Sequence, residues 1–265
     1  MTARLRILTL LLSVGCLTAY GQDFRTGVAT PDGGFLVAGE YLAWLDAEGE
    51  VLRNRPLERP LTALAAVGER LYALDGAGRD LLRLAPDGAV AAREKLPVRG
   101  LLRALAADGN TLWAVTDAGE IARGGAASGW TVFDFNNQYD GFYPPMDFRA
   151  VAAGGGSVMV AGLRPDGTPA AYTSARGTVW SERTLDYTEQ GLPCLFTAEP
   201  LSLSYDAPQD RFYLAGAGGT LLALPSCSHC NALTRYPTAT LFARIAGSTG
   251  SLLLGSDAFL RVEGR

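Results

Sequence analysis

LLRALAADGNTLWAVTDAGEIAR, residues 101–123, contains three short apolar runs separated by two turn sequences, DGN and TDAG. Its middle run, LWAV, recurs along the chain after a polar or glycine-rich turn, and successive copies begin 36 to 54 residues apart. The copies occupy residues 35–38, 71–74, 112–115, 158–161, 212–215 and 252–255. Self-similarity at this spacing is typical of propellers and solenoids, so this repeat decides the fold class.

Each repeat divides into about four apolar runs of four to six residues, which are bounded by turn signals. Asp-Gly and glycine-rich pairs favour hairpin turns, because glycine accepts positive φ and an aspartate carboxylate can bond to the local backbone. Helices are disfavoured, because the 32 glycines and 14 prolines would interrupt them repeatedly. The pattern predicts an all-β propeller, most simply with six four-stranded blades. Five or seven blades remain open, because the first and last repeats are the weakest.

The last repeat, residues 242–262, contains only three apolar runs. An incomplete final sheet would leave an open edge in the ring, so we expect a strand from the N-terminal region, around residues 22–25, to complete it. N- and C-terminal strands would then close the ring. Residues 22–265 are accordingly predicted to form a single propeller domain.

Residues 1–21 have the features of a secretory signal peptide. Arg4 and Arg6 precede an apolar run, residues 7–17, and Ala19-Tyr20-Gly21 follows as a small-x-small cleavage pattern. The run is too short to span a bilayer, and no later run is apolar over 18 residues. An alternative is a bacterial lipoprotein signal with a lipid tether at Cys16. Either way, the sequence predicts a bacterial protein that is exported to the periplasm, the medium or the cell surface.

The charge distribution argues against nucleic-acid partners. The formal net charge is −4, the pI is near 5.1, and positive charges are dispersed without a basic block. A nucleic-acid-binding domain needs a basic patch.

The sequence Cys227-Ser228-His229-Cys230 is the sharpest local motif. A redox-active C-x-x-C needs the start of a helix after it to lower the pKa of its thiol. The sequence after Cys230 does not predict a helix start. In an exported chain we expect a structural disulfide, either Cys227–Cys230 or one of these cysteines with Cys194. A zinc site on the three cysteines and His229, and a redox role, are the alternatives. We predict no metal and no cofactor.

Few enzyme mechanisms are open to this chain, because His229 is its only histidine. A divergent glycoside hydrolase would need paired carboxylates, or a tyrosine with arginines that bind the substrate acid. Groups of these types are present, but their spacing fits no motif, so we predict no catalytic residue. The candidates are Asp134, Asp140, Asp147, Asp186, Glu189, Arg149, Tyr139 and Tyr187. The Pro-Asp-Gly sequences at residues 31, 86 and 165 indicate turns and not calcium loops.

The two longest connections, residues 134–146 and 186–196, follow consecutive repeats and should emerge on one face. Long loops in compact domains are usually functional or disordered. Aromatic rings and amide groups together suit the recognition of a peptide or a sugar. The predicted ligand-binding residues are Phe135, Asn136, Asn137, Tyr139, Phe142, Tyr143 and Tyr187. The alternative is that these aromatic side chains only pack over the neighbouring blades.

Residues 173–180, TSARGTVW, resemble the Asp-box turn of BNR repeats, Ser-x-Asp-x-Gly-x-Thr-Trp, and residues 129–131, GWT, are a fainter copy. Ala175 stands at the aspartate position and Val179 at the threonine position. Whole repeats, such as residues 148–162, resemble blades of the photosystem II stability and assembly factor-like propellers. The resemblance implies a propeller that binds or scaffolds, with ligand contacts on the face formed by the inter-blade connections. Together with the aromatic connections, this predicts a non-enzymatic protein that binds a partner protein or a surface glycan. A BNR or sialidase-like hydrolase and a structural accessory of an envelope complex are the alternatives.

Overall fold

The computed structural model describes residues 24–125, 129–190, 192–225, 231–236, 241–247, 250–255 and 260–264. The predicted signal peptide, Cys16 and Gln22 lie outside the described residues, as do Cys227, His229 and Cys230. Predictions that concern those segments therefore remain predictions.

The described strands form six consecutive antiparallel meanders, which we number blade 1 to blade 6. Blade 1 comprises β1 (Thr26–Ala29), β2 (Phe35–Ala38), β3 (Tyr41–Leu45) and β4 (Val51–Pro56). Blade 2 comprises β5 (Leu61–Val67), β6 (Arg70–Asp75), β7 (Leu81–Leu84) and β8 (Val90–Glu94). Blade 3 comprises β9 (Leu102–Asp108), β10 (Thr111–Thr116), β11 (Glu120–Gly125) and β12 (Gly129–Asp134), followed by the one-turn helix α1 (Phe135–Gln138).

Blade 4 comprises β13 (Asp147–Gly154), β14 (Ser157–Leu163), β15 (Pro169–Ser174) and β16 (Ser181–Arg183). A separate two-stranded hairpin follows, β17 (Asp186–Glu189) and β18 (Leu192–Leu195). Blade 5 comprises β19 (Pro200–Asp206), a 3-10 helix (Ala207–Gln209), β20 (Arg211–Gly216), β21 (Thr220–Pro225) and β22 (Ala232–Arg235). Blade 6 comprises β23 (Leu241–Ala246), β24 (Gly250–Gly255) and β25 (Leu260–Gly264). Within the described residues, no helix is long and apolar enough to cross a membrane.

The blades are arranged as a closed ring around one channel. The innermost strands β1, β5, β9, β13, β19 and β23 contact one another in this order, and β23 contacts β1 again. All six of these strands contribute residues to the wall of the channel. The predicted all-β propeller is therefore confirmed, with five four-stranded blades and a sixth sheet that has three described strands.

Residues 22 and 23 of the strand expected to complete blade 6 lie outside the described residues, so that strand exchange stays a prediction, and only Phe24 and Arg25 can be placed. The Arg25 amide donates to the Ala38 carbonyl at 2.8 Å, so Arg25 continues β1 along β2 and does not enter blade 6. Phe24 is buried between the first and last blades, in a cluster with Phe35 and Ile245. Apolar packing between β1 and β23 thus joins the two ends of the described chain.

Apolar side chains are buried mainly between neighbouring blades. All four residues of β2 are buried, whereas five of the six residues of the outer strand β4 are exposed. Inner strands are covered on both faces by adjacent sheets, which explains why the repeated apolar runs show little alternation. Each blade interface therefore has its own apolar cluster.

A β-bulge recurs near the start of the inner strands. The register shifts at this point in β5, β9, β13, β19 and β23. A bulge re-aims the side chain of its extra residue. At four of these bulges the extra residue lines the channel mouth: Thr62, Arg103, Arg149 and Leu201.

Strand reversal gives the ring two distinct faces. The connector face carries every connection from the outermost strand of one blade to the innermost strand of the next, including residues 135–146 and 184–199. The turn face carries the tight turns that join first to second and third to fourth strands, including residues 85–89 and 175–180. The two longest connections therefore lie on one face, as the sequence predicts.

Glu120 fixes the connection between blades 2 and 3 on the connector face. Its carboxylate is buried and accepts hydrogen bonds from the amides of Arg99 and Gly100, both at 2.9 Å. Burial opposes ionisation of the carboxyl, but hydrogen bonds from Gly100 and Arg99 outweigh it, so the pKa of Glu120 lies below its ordinary value.

We expect the stability that ionised Glu120 provides to depend on acid pH. Because the folded-state pKa is lowered, this stability is complete above the unfolded-state pKa, about 4.3, and is lost as pH falls through the lowered value. Urea unfolding of the wild-type protein and Glu120→Gln between about pH 3 and pH 7 measures the effect. The two proteins should converge in stability towards acid pH, and a constant difference would contradict the assignment.

Candidate functional site

Phe135 belongs to the core and not to a binding surface. Its ring is fully buried in the cluster between blades 3 and 4 and packs against Tyr172 with ring centroids 4.6 Å apart. The sequence predicts Phe135 as a ligand contact, and the structure corrects this, because a buried ring presents no surface to a ligand. Helix α1 turns the chain inward at this point, and the Asp134 carboxylate caps it by accepting from the Asn137 amide at 3.2 Å.

Asn136 holds the long connection in place. Its side-chain nitrogen donates to the carbonyls of Ala118 (3.0 Å) and Met146 (3.1 Å), and its oxygen accepts from the Met146 amide at 2.7 Å. The amide group predicted to bind a ligand is thus occupied within the fold. The Asn137 side chain, by contrast, is exposed.

The tyrosines of this connection are half-buried and cover the outer end of the blade 3–4 core. The Tyr139 hydroxyl accepts from the Trp180 amide at 2.8 Å, and the Tyr143 ring lies 4.9 Å from that of Tyr172. Phe142 packs edge-on against Tyr143 but remains 73% exposed. Packing over the blades, the alternative that the sequence leaves open, accounts for most of these aromatic side chains, and Phe142 is the one left to solvent.

The second long connection contains the hairpin β17–β18. Tyr187 lies on β17, where it is half-buried and its hydroxyl accepts from Arg235 of blade 5 at 3.1 Å. Arg235 also forms an ion pair with Glu189, which lowers the pKa of that carboxyl. Asn231 donates to the Asp186 carbonyl at 2.8 Å. These contacts attach β17 to the outer strand of blade 5 and leave β18 as an open edge.

Pro193 protects that open edge. The Phe196 amide donates inward to Leu185 at 2.8 Å, so strand alternation directs the amides of Leu192 and Cys194 inward as well and places residue 193 on the outer side. Proline has no N–H to offer there, and proline on an edge strand discourages the addition of another strand. A partner at this edge would therefore contact side chains rather than extend the sheet.

Cys194 forms no disulfide with any residue that the structure describes. Cys227 and Cys230 lie outside the described residues, so the disulfide assignment among the three cysteines stays a prediction. Within the described part of the chain, no group of three His, Cys, Asp or Glu side chains is arranged to hold a metal ion.

Two exposed leucines on the hairpin were missed by sequence reasoning. Leu192 is 67% exposed and Leu195 is 71% exposed. Gln190-Gly191 between the runs DYTE and LPCL is a two-residue hairpin signal that could have revealed them. Leu195 also lines a cavity of about 590 Å³ between the base of the hairpin and the β14–β15 turn of blade 4. We call this cavity the hairpin groove.

The hairpin groove is connected to the aromatic layer of the first long connection. Arg164 lines the groove and forms an ion pair with Glu182. The Arg164 guanidinium also lies beside the Tyr172 hydroxyl, whose pKa is raised by burial. Tyr172 in turn packs on Tyr143. Contacts thus run from the lining of the hairpin groove to the first long connection across blade 4.

The carboxylates considered for hydrolysis are dispersed among structural roles. Asp134 caps α1, and Asp147 pairs with Arg149 at 2.9 Å. Asp140 is exposed, while Asp186 and Glu189 hold the hairpin to blade 5. In the described residues, the narrow central channel is lined by small, apolar and hydroxyl side chains and by Arg25, Arg103, Arg149 and Arg244, without a carboxylate.

Comparisons with known proteins support the fold. No protein-family model matches the sequence, and no curated protein matches it. Virginiamycin B lyase from Staphylococcus aureus has a similar structure, with a TM-score of 0.61 at 11% identity over 94% of this chain and 86% of that chain.

Two further solved structures are similar to this one. YCF48 from Cyanidioschyzon merolae, a photosystem II assembly factor, gives a TM-score of 0.61 at 13% identity over 92% of this chain and 96% of that chain. A chain of a nidogen/laminin complex gives a TM-score of 0.60 at 17% identity over 82% of this chain and 83% of that chain. YCF48 has also been solved bound to a D1 peptide. At these identities the comparisons show that the chain has the β-propeller fold.

Proposed function

We propose that this protein is an exported, non-enzymatic β-propeller that binds a partner protein through its connector face. The observation that carries the proposal is the placement of Phe142, Leu192 and Leu195. These large apolar side chains are between 67% and 73% exposed and lie on the two long connections of one face. Exposed apolar side chains gathered on one face are a feature of protein interaction sites.

The hairpin groove is a second feature that supports partner binding on the connector face. A concave site of about 590 Å³ beside Leu195 is large enough to accept side chains of a partner. Its polar lining, which includes the Arg164–Glu182 pair, is internally neutralised. A partner that buries apolar side chains at the leucines, with polar groups at the rim, fits this lining.

The similar structures support a binding role on this fold. YCF48 with a D1 peptide and nidogen with laminin are propellers that bind protein partners. Export rests on the sequence of residues 1–21, with the lipid tether at Cys16 as the alternative. Surface glycan binding and divergent glycoside hydrolysis remain the competing functions, and a purely structural accessory is the third.

We expect the triple variant Phe142→Ser, Leu192→Ser, Leu195→Ser to lose partner binding. Truncation of a large apolar side chain at the centre of an interface typically costs about 2 kcal/mol, or about 30-fold in affinity. Partners would be identified by crosslinking and affinity purification of the mature protein from the cell envelope. Affinities would then be measured with the purified partner.

A matched control is available at the other side of the ring. Leu52, Val90 and Val179 are also exposed, at 65%, 47% and 72%, but lie at the turn-face ends of their blades. The corresponding triple serine variant should bind normally. Equal loss in both variants, or no loss in the first, would refute the connector face as the binding surface. Binding to a glycan array that depends on Phe142 would favour the glycan alternative.

A further inference from the structure

Two adjoining cavities lie on the turn face between blades 3 and 4. Their volumes are about 250 Å³ and 370 Å³, and the same four residues line both: Thr111, Trp113, Arg123 and Arg176. We call the combined cavity the blade 3–4 cleft. It is separate from the connector face, to which the proposed function assigns partner binding.

Positive charge in this cleft is not neutralised by ion pairs. Arg123 and Arg176 are both exposed, and neither forms an ion pair with any residue that the structure describes. Asp108, at one end of the cleft, is the single carboxylate among the described lining residues. Thr131 and Thr178 also line the cleft.

The Arg123 side chain and the backbone of Arg176 are held by the surrounding structure. Arg123 donates to the Arg176 carbonyl at 3.2 Å, and its guanidinium lies 5.3 Å from the centre of the Trp113 ring. The turn that carries Arg176 is the degenerate Asp-box turn, in which the Ser174 hydroxyl accepts from the Gly177 amide at 2.8 Å. Gly177 has φ 71°, and an added Cβ would lie only 2.4 Å from Trp113. The turn is therefore packed directly onto the floor of the cleft.

The equivalent cleft beside blade 2 differs from the blade 3–4 cleft in its charged residues. Arg83 is opposite Tyr72 in blade 2, as Arg123 is opposite Trp113 in blade 3. The blade 2 cleft also contains Glu94, which lies opposite Leu81 and accepts from Trp130 at 2.7 Å.

In blade 3 the acid is replaced and a second arginine is added. Phe133 lies opposite Ile121, the position that Glu94 has in blade 2. Arg176 then enters from blade 4. Two arginines and a single carboxylate, Asp108, leave this cavity with a net positive charge that a bound anion would neutralise.

We propose that the blade 3–4 cleft binds an oxyanion, a carboxylate, phosphate or sulfate group of a small ligand, between Arg123 and Arg176. Planar guanidinium groups donate pairs of N–H bonds to such anions, and these charge-assisted bonds are about twice as strong as neutral ones. The threonine hydroxyls supply further donors, and the apolar floor formed by Trp113 fits a flat or apolar part of the same ligand.

The test is a titration of the mature protein with malonate, inorganic phosphate or sulfate at low, constant ionic strength. Calorimetry gives the affinity, and the Nε–Hε resonances of the arginine side chains locate the anion. Arg123→Gln and Arg176→Gln should each weaken binding about tenfold or more. The matched control is Arg83→Gln, which alters the equivalent position in blade 2 and should bind like the wild type.

The titrations distinguish a specific anion site from a general effect of positive charge. Saturable binding that is lost in both cleft variants and kept in Arg83→Gln supports the site, and the anion that binds most tightly identifies the ligand group. No saturable binding of any of the three anions by the wild type would overturn the proposal. Equal weakening in all three variants would do so too, since it would show a general charge effect. Circular dichroism and thermal unfolding confirm that the variants are folded.

Discussion

Replacing Arg244 with alanine should lower the free energy of unfolding by about 3–5 kcal/mol. Arg244 on β23 and Asp206 at the end of β19 form an ion pair at 2.9 Å with 5% and 1% of their side chains exposed. The Arg244 guanidinium also lies 3.8 Å from the centre of the Tyr213 ring. Removal of the arginine would leave a buried carboxylate without its main cation, which is more costly than the loss of the attraction alone.

This ion pair joins blade 5 to blade 6, the sheet with three described strands. Urea unfolding of Arg244→Ala measures the effect. Arg55→Ala is the control, because its pair with Asp87 is largely exposed, at 44% and 67%, and should contribute little to stability. If the two variants are destabilised equally, burial of the Arg244–Asp206 pair has no special role in holding the ring.

Phe135→Ala should destabilise the protein by about 3–5 kcal/mol, because it removes a fully buried ring from the blade 3–4 core. Phe135 contacts Tyr139, Tyr143, Phe148 and Tyr172, with ring centroids 4.6 to 5.9 Å apart. The surrounding rings cannot fill the cavity completely, so both transfer free energy and packing are lost.

Phe142→Ala is the matched control for this prediction. Phe142 belongs to the same connection but is 73% exposed, so its removal should change the free energy of unfolding by about 0.5 kcal/mol or less. Denaturant unfolding of both variants, together with partner binding, separates the core ring from the surface ring. Equal stability of the two variants would show that Phe135 is not part of the core.

The four-stranded repeat could be read from the sequence because its signals are local. Asp-Gly turns at residues 87–88 and 166–167 end one strand and begin the next, and the structure confirms that their aspartates bond to backbone amides two residues later. Apolar runs of four to six residues between such turns suit strands that are covered on both faces. Fold class and blade order follow from these features.

The candidate site was predicted only in part, because its residue types do not reveal burial. An aromatic residue in a long connection has the same sequence signature whether it binds a ligand or covers a core. Helix α1 and its Asp134 cap direct Phe135 inward, while Phe142 remains at the surface. The exposed leucines of β18 were missed because LPCL carries no functional motif, and only the attachment of β17 to blade 5 leaves them at an open edge.

The sequence by itself determined the repeat, its turns and thus the all-β ring, because each depends on residues that are neighbours along the chain. Tertiary structure alone decided which side chains are buried, which arginines lack a carboxylate partner, and how the first and last blades meet. Arg123 and Arg176 are 53 residues apart and line one cleft only because neighbouring blades pack side by side. Such pairings depend on the radial arrangement of the sheets, and no local pattern in the sequence encodes them.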